Sequence, residues 1–116
     1  MARSKYRAQK TIVDGVCFDS KTEARRYTDL LILQQAGIIS ELKCQPAFVL
    51  LEGFKDITGK REQAIKYTAD FEYFEDGRRI VEEIKSRATA KARDWSLRKR
   101  LFKSRYREIE LRVVMA

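Results

Sequence analysis

Asp70, Glu83 and Lys85 are the residues of this chain whose types and spacing suit chemistry. Asp70 lies in Lys66-Tyr67-Thr68-Ala69-Asp70-Phe71-Glu72-Tyr73-Phe74, and Glu83 and Lys85 lie in Arg79-Ile80-Val81-Glu82-Glu83-Ile84-Lys85, with Asp76-Gly77 between the two runs. Asp-Gly is a strong hairpin signal, because a type I′ turn needs positive φ at both central positions. With Asp76 and Gly77 as the loop, Glu75 faces Arg78, and counting back along both arms sets Asp70 directly opposite Glu83. Their Cβ atoms would then be ~4.5–5.5 Å apart. Lys85 lies two residues beyond Glu83 and shares its face, with Thr68 as its cross-strand partner. Like charges set opposite each other destabilise a sheet, so the pair calls for a bridging divalent cation, helped by Lys85. Ligation by a few carboxylate oxygens suits Mg²⁺, or Mn²⁺. The chemistry this predicts is phosphodiester hydrolysis: the metal polarises a phosphate and acidifies a water. Lys85 orients that water or stabilises the charge of the transition state. A three-residue loop would instead put the carboxylates on different faces and leave a surface hairpin with a Glu-Lys pattern on its wet side.

Composition narrows the alternatives. The chain has no histidine, which excludes Ser-His-Asp and Cys-His nucleophile systems, His-metal nucleases and Cys₂His₂ zinc sites. At 116 residues, 44% hydrophobic and 36% charged, it reads as one globular domain rather than a disordered segment. No apolar run approaches the ~18 residues that span a bilayer. The basic start, Met1 to Arg7, has no apolar segment behind it, so no secretory signal is expected. Two cysteines, Cys17 and Cys44, make no disulfide framework, and a reducing cytoplasm is the expectation. The net charge of +8 is concentrated at the ends. Residues 1–10 carry four basic side chains and no acid, residues 86–116 carry ten basic and three acidic, and residues 11–85 carry eleven basic and fourteen acidic. Basic flanks suit a polyanion, and an acidic centre suits a hard cation.

The elements that must position these residues follow from local signals. Residues 1–10 read as a flexible basic arm and residues 11–116 as the domain. Thr11 to Phe18 is a small hairpin turning at Asp14-Gly15. Ser20-Lys21-Thr22-Glu23 is a capping box that opens a helix with Ala24, Tyr27, Leu30 and Leu31 on its apolar side and Gly37 as its stop. Ala47 to Leu51 is a strand, and Gly53 to Arg61 a polar loop. The two arms around Asp76-Gly77 come next, the first burying Tyr67, Ala69, Phe71 and Tyr73 together. A helix runs from about Thr89 to Arg105 with Ala92, Trp95 and Phe102 at helical spacing, and Trp95 and Phe102 read as core. Glu108 to Val114 alternates as a final strand. Glu82 falls on the side of Phe71, Tyr73, Ile80 and Ile84, where it either reaches a sheet edge or pairs with an arginine. The order is hairpin, α, β, β, β, α, β.

This pattern resembles the PD-(D/E)XK nuclease superfamily, through Asp70 and then Glu83-Ile84-Lys85 on adjacent strands. It is also similar to a family of small phage-encoded endonuclease-like proteins related to Holliday junction resolvases. The pieces are Asp14-Gly15 with Phe18-Asp19-Ser20-Lys21-Thr22-Glu23-Ala24, then Tyr67-Thr68-Ala69-Asp70-Phe71, then Val81-Glu82-Glu83-Ile84-Lys85-Ser86, then the basic Leu97-Arg98-Lys99-Arg100-Leu101-Phe102. Two positions depart from the pattern: Ala69 stands where the motif has proline, and Ser86 where the phage family has glycine. The resemblance implies an α/β (α+β) restriction-endonuclease-like core with a mixed sheet. It implies that Asp70, Glu83 and the Ile84 carbonyl hold the metal, that Lys85 is the catalytic lysine, and that Glu23 of the first helix joins them. It implies a Mg²⁺-dependent endonuclease that cuts branched DNA as a homodimer, in the cytoplasm of a host cell if phage-encoded. Arg3, Lys5, Arg7, Lys91, Arg98 and Lys99 would contact DNA phosphates. The competing readings are a nuclease for flaps, duplex ends or transposon ends, a non-catalytic DNA-binding module of the same fold, and a small basic RNA-binding protein.

Overall fold

The Asp76-Gly77 turn closes as its residues require, with φ of 53° and 76°. The structure is a computed structural model, and it describes residues 10–13, 15–18, 20–86 and 93–115. In chain order the described elements are β1 Thr11–Val13, β2 Val16–Phe18, α1 Lys21–Gln35, β3 Ser40–Cys44, β4 Ala47–Leu51, β5 Phe54–Lys55, β6 Arg61–Glu62, β7 Ile65–Thr68, β8 Phe71–Glu75, β9 Arg78–Lys85, α2 Arg93–Arg105 and β10 Ile109–Met115. The fold is mixed α+β. A four-stranded sheet in the order β10-β9-β8-β3 is accompanied by three two-stranded ribbons, β1-β2, β4-β7 and β5-β6.

The two-residue turn sets the register at the centre of the sheet. Glu75 pairs with Arg78 and Phe71 with Glu82, so β8 and β9 run in the alignment counted from Asp76-Gly77. The parallel strand β10 pairs with β9 from Ile109↔Arg79 to Met115↔Lys85, which makes the sheet mixed. The helices cover opposite faces of it. Under α1, Ala24, Tyr27 and Leu30 pack with Phe18, Ile39, Phe71, Tyr73 and Ile80. Under α2, Trp95 and Phe102 pack with Phe48, Leu50, Tyr67, Ala69, Val81 and Ile109. Phe71 and Phe102 are fully buried; truncating either to alanine costs ~3–5 kcal/mol.

The caps of α1 follow the sequence signals. The Ser20 hydroxyl accepts the Glu23 N–H at 3.1 Å. At the other end Gly37 takes φ 78°, its N–H bonds to the Gln34 carbonyl and the Ile38 N–H to that of Leu33. That is a Schellman motif, which needs a residue free to adopt the left-handed conformation.

Three expectations are corrected. The first arm, Lys66 to Phe74, is not one strand. It breaks at Ala69-Asp70, so β7 pairs with β4 while β8 pairs with β9 and β3. Thr68 therefore lies opposite Ala47 rather than Lys85. The bend also divides the expected face: Tyr67 and Ala69 turn towards α2, and Phe71 and Tyr73 towards α1. The reason is that β4 and β7 hide Phe48, Leu50 and Tyr67 only by swinging over to α2. Second, Ser40–Cys44 is a strand, pairing irregularly with β8 around Glu41, whose φ is 54°. Third, the polar loop holds the short ribbon β5-β6, closed by Asp56, whose Oδ1 accepts the N–H groups of Thr58 and Lys60. Among the described residues no helix is long and apolar enough to cross a membrane.

Candidate active site

Asp70 stands where the chain leaves the β4-β7 ribbon and enters the sheet. Its backbone is pinned on both sides: its N–H donates to the Glu82 carbonyl at 3.1 Å, and its carbonyl accepts the Gln45 N–H at 2.9 Å. The adjoining strand diverges here, so β9 finds no further backbone acceptor along that edge. The Asp70 carboxylate takes its place and accepts the Ile84 N–H on Oδ2 at 2.7 Å. A buried N–H without an acceptor costs ~1–3 kcal/mol, so the contact holds both partners firmly.

Glu83 projects to the α2 side of β9. The Tyr67 hydroxyl donates to its Oε1, and the Lys85 ammonium lies 3.3 Å from its Oε2. Lys85 also stands over the ring of Trp95, with Nζ 4.6 Å from the centroid. Glu23 enters from α1. Its backbone N–H serves the Ser20 cap, while its carboxyl group hydrogen-bonds Asp70. The Ser20 half of the capping box uses the Glu23 N–H and leaves its carboxyl group to Asp70, whereas the reciprocal half of the box would need that same carboxyl group.

The electrostatics reflect three acids and one ammonium in a half-dry setting. Burial pushes the Asp70 carboxyl up to about 7, the Ile84 N–H pulls it back, the neighbouring Glu23 raises it further and Lys85 lowers it. Burial also raises Glu83; the Tyr67 hydroxyl opposes the rise, Asp70 adds to it and Lys85 counters it. Tyr67 is raised by burial and by the Glu83 charge, so its hydroxyl stays a donor. Two acids that share a hydrogen bond beside a third mark a spot where positive charge is in deficit.

The structure brings together Glu23, Asp70, Glu83 and Lys85, and Ile84 joins through its N–H. Arg98 and Lys99 lie on α2. The Arg98 guanidinium contacts Asp94 at 3.2 Å and donates to the Lys66 carbonyl at 3.0 Å. Arg3, Lys5, Arg7 and Lys91 lie outside the described residues, as does the expected start of α2 at Thr89 to Ala92. Among the described residues no group of three or more Asp, Glu, His or Cys is placed so that it could hold a metal ion. An ion here would rest on two carboxylates completed by backbone and water, the partial protein shell usual for Mg²⁺.

Sequence reasoning missed two contributors. Tyr67 was expected on the core side, away from the acids, and the break at Ala69-Asp70 turns its hydroxyl onto Glu83. Trp95 is buried as expected, but its ring face also serves Lys85. Of the two possibilities for Glu82, it is the arginine pairing that occurs, with Arg26 and on the opposite face of the sheet. An open cleft of about 200 Å³ lined by Thr22, Arg25, Arg26, Asp29, Ile84, Val114 and Met115 lies beside α1 rather than over the acids.

No curated protein and no solved structure matches the chain. Residues 3–116 match the family described as "Protein of unknown function (DUF1064)". That match spans both helices, the sheet and every acid of the site, and the chain belongs to the DUF1064 family.

Proposed function

We propose that the protein is a metal-dependent endodeoxyribonuclease of the PD-(D/E)XK kind, with branched DNA, most specifically a four-way junction, as substrate. One observation carries the reading: Asp70 and Glu83 share a single ammonium, that of Lys85, while Glu23 hydrogen-bonds Asp70, and Asp70 is driven up to about 7. Burying acids against one another in this way is costly, and a divalent cation relieves the cost. A mixed sheet with a helix on each face and the acids near its middle also fits such a core.

Asp70, Glu83 and the Ile84 carbonyl would hold Mg²⁺, or Mn²⁺. A residue in a strand turns its N–H and C=O to the same neighbour, so the Ile84 carbonyl leaves β9 on the Asp70 side. When bound, the metal supplies polarisation of the phosphate and acidification of water. The chain's own groups do the rest. Lys85 offers an ammonium to the charge that develops on the phosphoryl oxygens. Glu23 offers a carboxylate that can take a proton from water, once Asp70 no longer needs its hydrogen bond. Tyr67 keeps Glu83 pointed inward. Lys99 and Arg98 on α2, with Arg3, Lys5, Arg7 and Lys91, would meet backbone phosphates and give salt-dependent affinity. A four-way junction needs two cuts, so a homodimer is part of the proposal.

The test is incubation of labelled four-way junction, linear duplex and single strand with Mg²⁺ or with chelator. Paired cuts in the junction alone, lost in Asp70→Asn and in Lys85→Ala, are the expected result. Equal cutting of all three substrates would retain the nuclease and overturn the junction preference. Binding without cleavage under every condition would replace the enzyme with a binding module. A second readout needs no activity: a hundredfold excess of Mg²⁺ over its Kd stabilises the fold by ~2.7 kcal/mol, and Asp70→Asn abolishes that gain.

A further inference from the structure

We propose that Trp95 is a positioning residue for Lys85, so that the docking of α2 sets the geometry of the acids as well as covering the core. What Lys85 does rests on the hydrolase reading above; where Lys85 sits rests on contacts alone.

A lysine carries a compact charge on a flexible four-carbon stem, and one ion pair leaves it free to swing. Here the ammonium is confined on two sides. Glu83 Oε2 is 3.3 Å away on one, and the Trp95 ring lies on the other, with its centroid 4.6 Å from Nζ. The side chain keeps only 22% of its surface exposed. The indole face is the strongest of the aromatic partners for a cation. A second aromatic residue closes the arrangement. Tyr67 lies against Trp95 with ring centroids 5.7 Å apart, and its hydroxyl donates to Glu83. The Tyr67–Trp95 pair therefore contacts both members of the Glu83–Lys85 pair. Phe48 and Phe102 lie in the same core, and where packing is the only demand a phenylalanine would suffice at position 95. The chain's single tryptophan instead stands where an ammonium meets a ring.

A single tryptophan also makes the test clean. Biosynthetic incorporation of mono-, di- and trifluorotryptophan alters only position 95 and withdraws charge from the ring face with little change of shape. On the DNA that the wild-type protein cleaves, turnover should fall stepwise with each fluorine, about three- to thirtyfold across the series. The Michaelis constant for DNA and the thermal midpoint should stay level, a split that a purely structural role would not give. Turnover that stays flat across the series would overturn the proposal. A second measurement uses the protein alone, with no metal and no DNA. Lys85→Met removes the cation from the ring and should shift the emission of Trp95, whereas Lys103→Met, on the far part of α2, should not. Unchanged emission in Lys85→Met overturns the proposal. If no DNA is cleaved at all, the hydrolase reading fails, and the emission shift still supports the seat of the ammonium on the ring.

Discussion

β9 presents consecutive glutamates to opposite faces of the sheet, and the two are treated in opposite ways. Glu82 is fully buried on the α1 side. The Arg26 guanidinium forks onto it, with Nε 2.9 Å from Oε1 and Nη2 2.6 Å from Oε2, and the Tyr73 hydroxyl donates to Oε2. Glu83 is 8% exposed on the α2 side. It has one phenol and one ammonium, and it shares that ammonium with Asp70 while Glu23 bonds Asp70 from α1. A planar guanidinium matches a carboxylate atom for atom, and the charge is cancelled where it lies. On the other face several acids draw on a point charge, and the balance stays negative. Equal burial of like groups therefore has two meanings. A matched acid fixes architecture, whereas a surplus of acids leaves negative charge uncompensated, which is the charge the proposed cation would relieve.

The largest effect tests the matched side. Removing one member of a buried pair strands the other, at ~3–5 kcal/mol. Arg26→Ala should lower the unfolding free energy by that much, read by urea titration as an earlier midpoint at unchanged slope, and leave the protein close to unfolding. The double variant Arg26→Met with Glu82→Leu should recover most of the loss, since apolar residues of like volume often replace a buried pair without penalty. If Arg26→Ala proves as stable as wild type, the clamp is not what holds α1 to β9, and the contrast between the two faces collapses.

The surplus side should respond with the opposite sign. The Asp70 carboxyl has a folded pKa of about 7 against an ordinary 3.8, so between those values the folded state binds more protons than the unfolded one. Its contribution to stability is fully present below the lower value and is lost as pH rises through the upper one. Asp70→Asn keeps an acceptor for the Ile84 N–H and removes the charge. Measured by urea unfolding in chelator, the variant should match wild type near about pH 4. At about pH 8 it should be more stable by on the order of 2–4 kcal/mol, at ~1.4 kcal/mol per pKa unit. A gap that does not change with pH would mean that Asp70 is as well matched as Glu82.

Which of these features the sequence discloses depends on how local their causes are. The Asp76-Gly77 turn is local, and it carries the register of β8 and β9 and hence the nearness of Asp70 and Glu83. The Ser20 cap and the Gly37 stop are equally local. The break at Ala69-Asp70 is not. Apolar residues recur at Tyr67, Ala69, Phe71 and Tyr73 whether the strand continues or changes partners, because the period of two counts residues and not neighbours. Arg26 finds Glu82 fifty-six residues away, and no spacing announces such a contact. β3 alternates only over Glu41 to Cys44, too short a run to declare a strand, and its pairing with β8 shifts register near Glu41. Where both ends of an interaction lie in one turn or cap the residues disclose it, and where the fold brings distant segments together they do not.

The smallest effects divide the cations of α2 by the same principle of matching. Arg98 is used within the fold, held by Asp94 and by the Lys66 carbonyl of β7, with 38% of its side chain exposed. The exposed pair is worth ~0.3–0.5 kcal/mol and the bond to the carbonyl ~0.5–1.5 kcal/mol, so Arg98→Ala should cost about 1 kcal/mol of stability. Lys99 forms no ion pair among the described residues, and Lys99→Ala should leave stability within ~0.5 kcal/mol of wild type. DNA binding should rank them in reverse. A lysine that meets a phosphate contributes about one unit to the slope of log K against log[salt], and Lys99→Ala should lower the slope by that amount while Arg98→Ala lowers it less. If Arg98→Ala instead takes a full unit from the slope at no cost in stability, its internal contacts give way to DNA, and matching inside the fold no longer separates structural charges from binding ones on this helix.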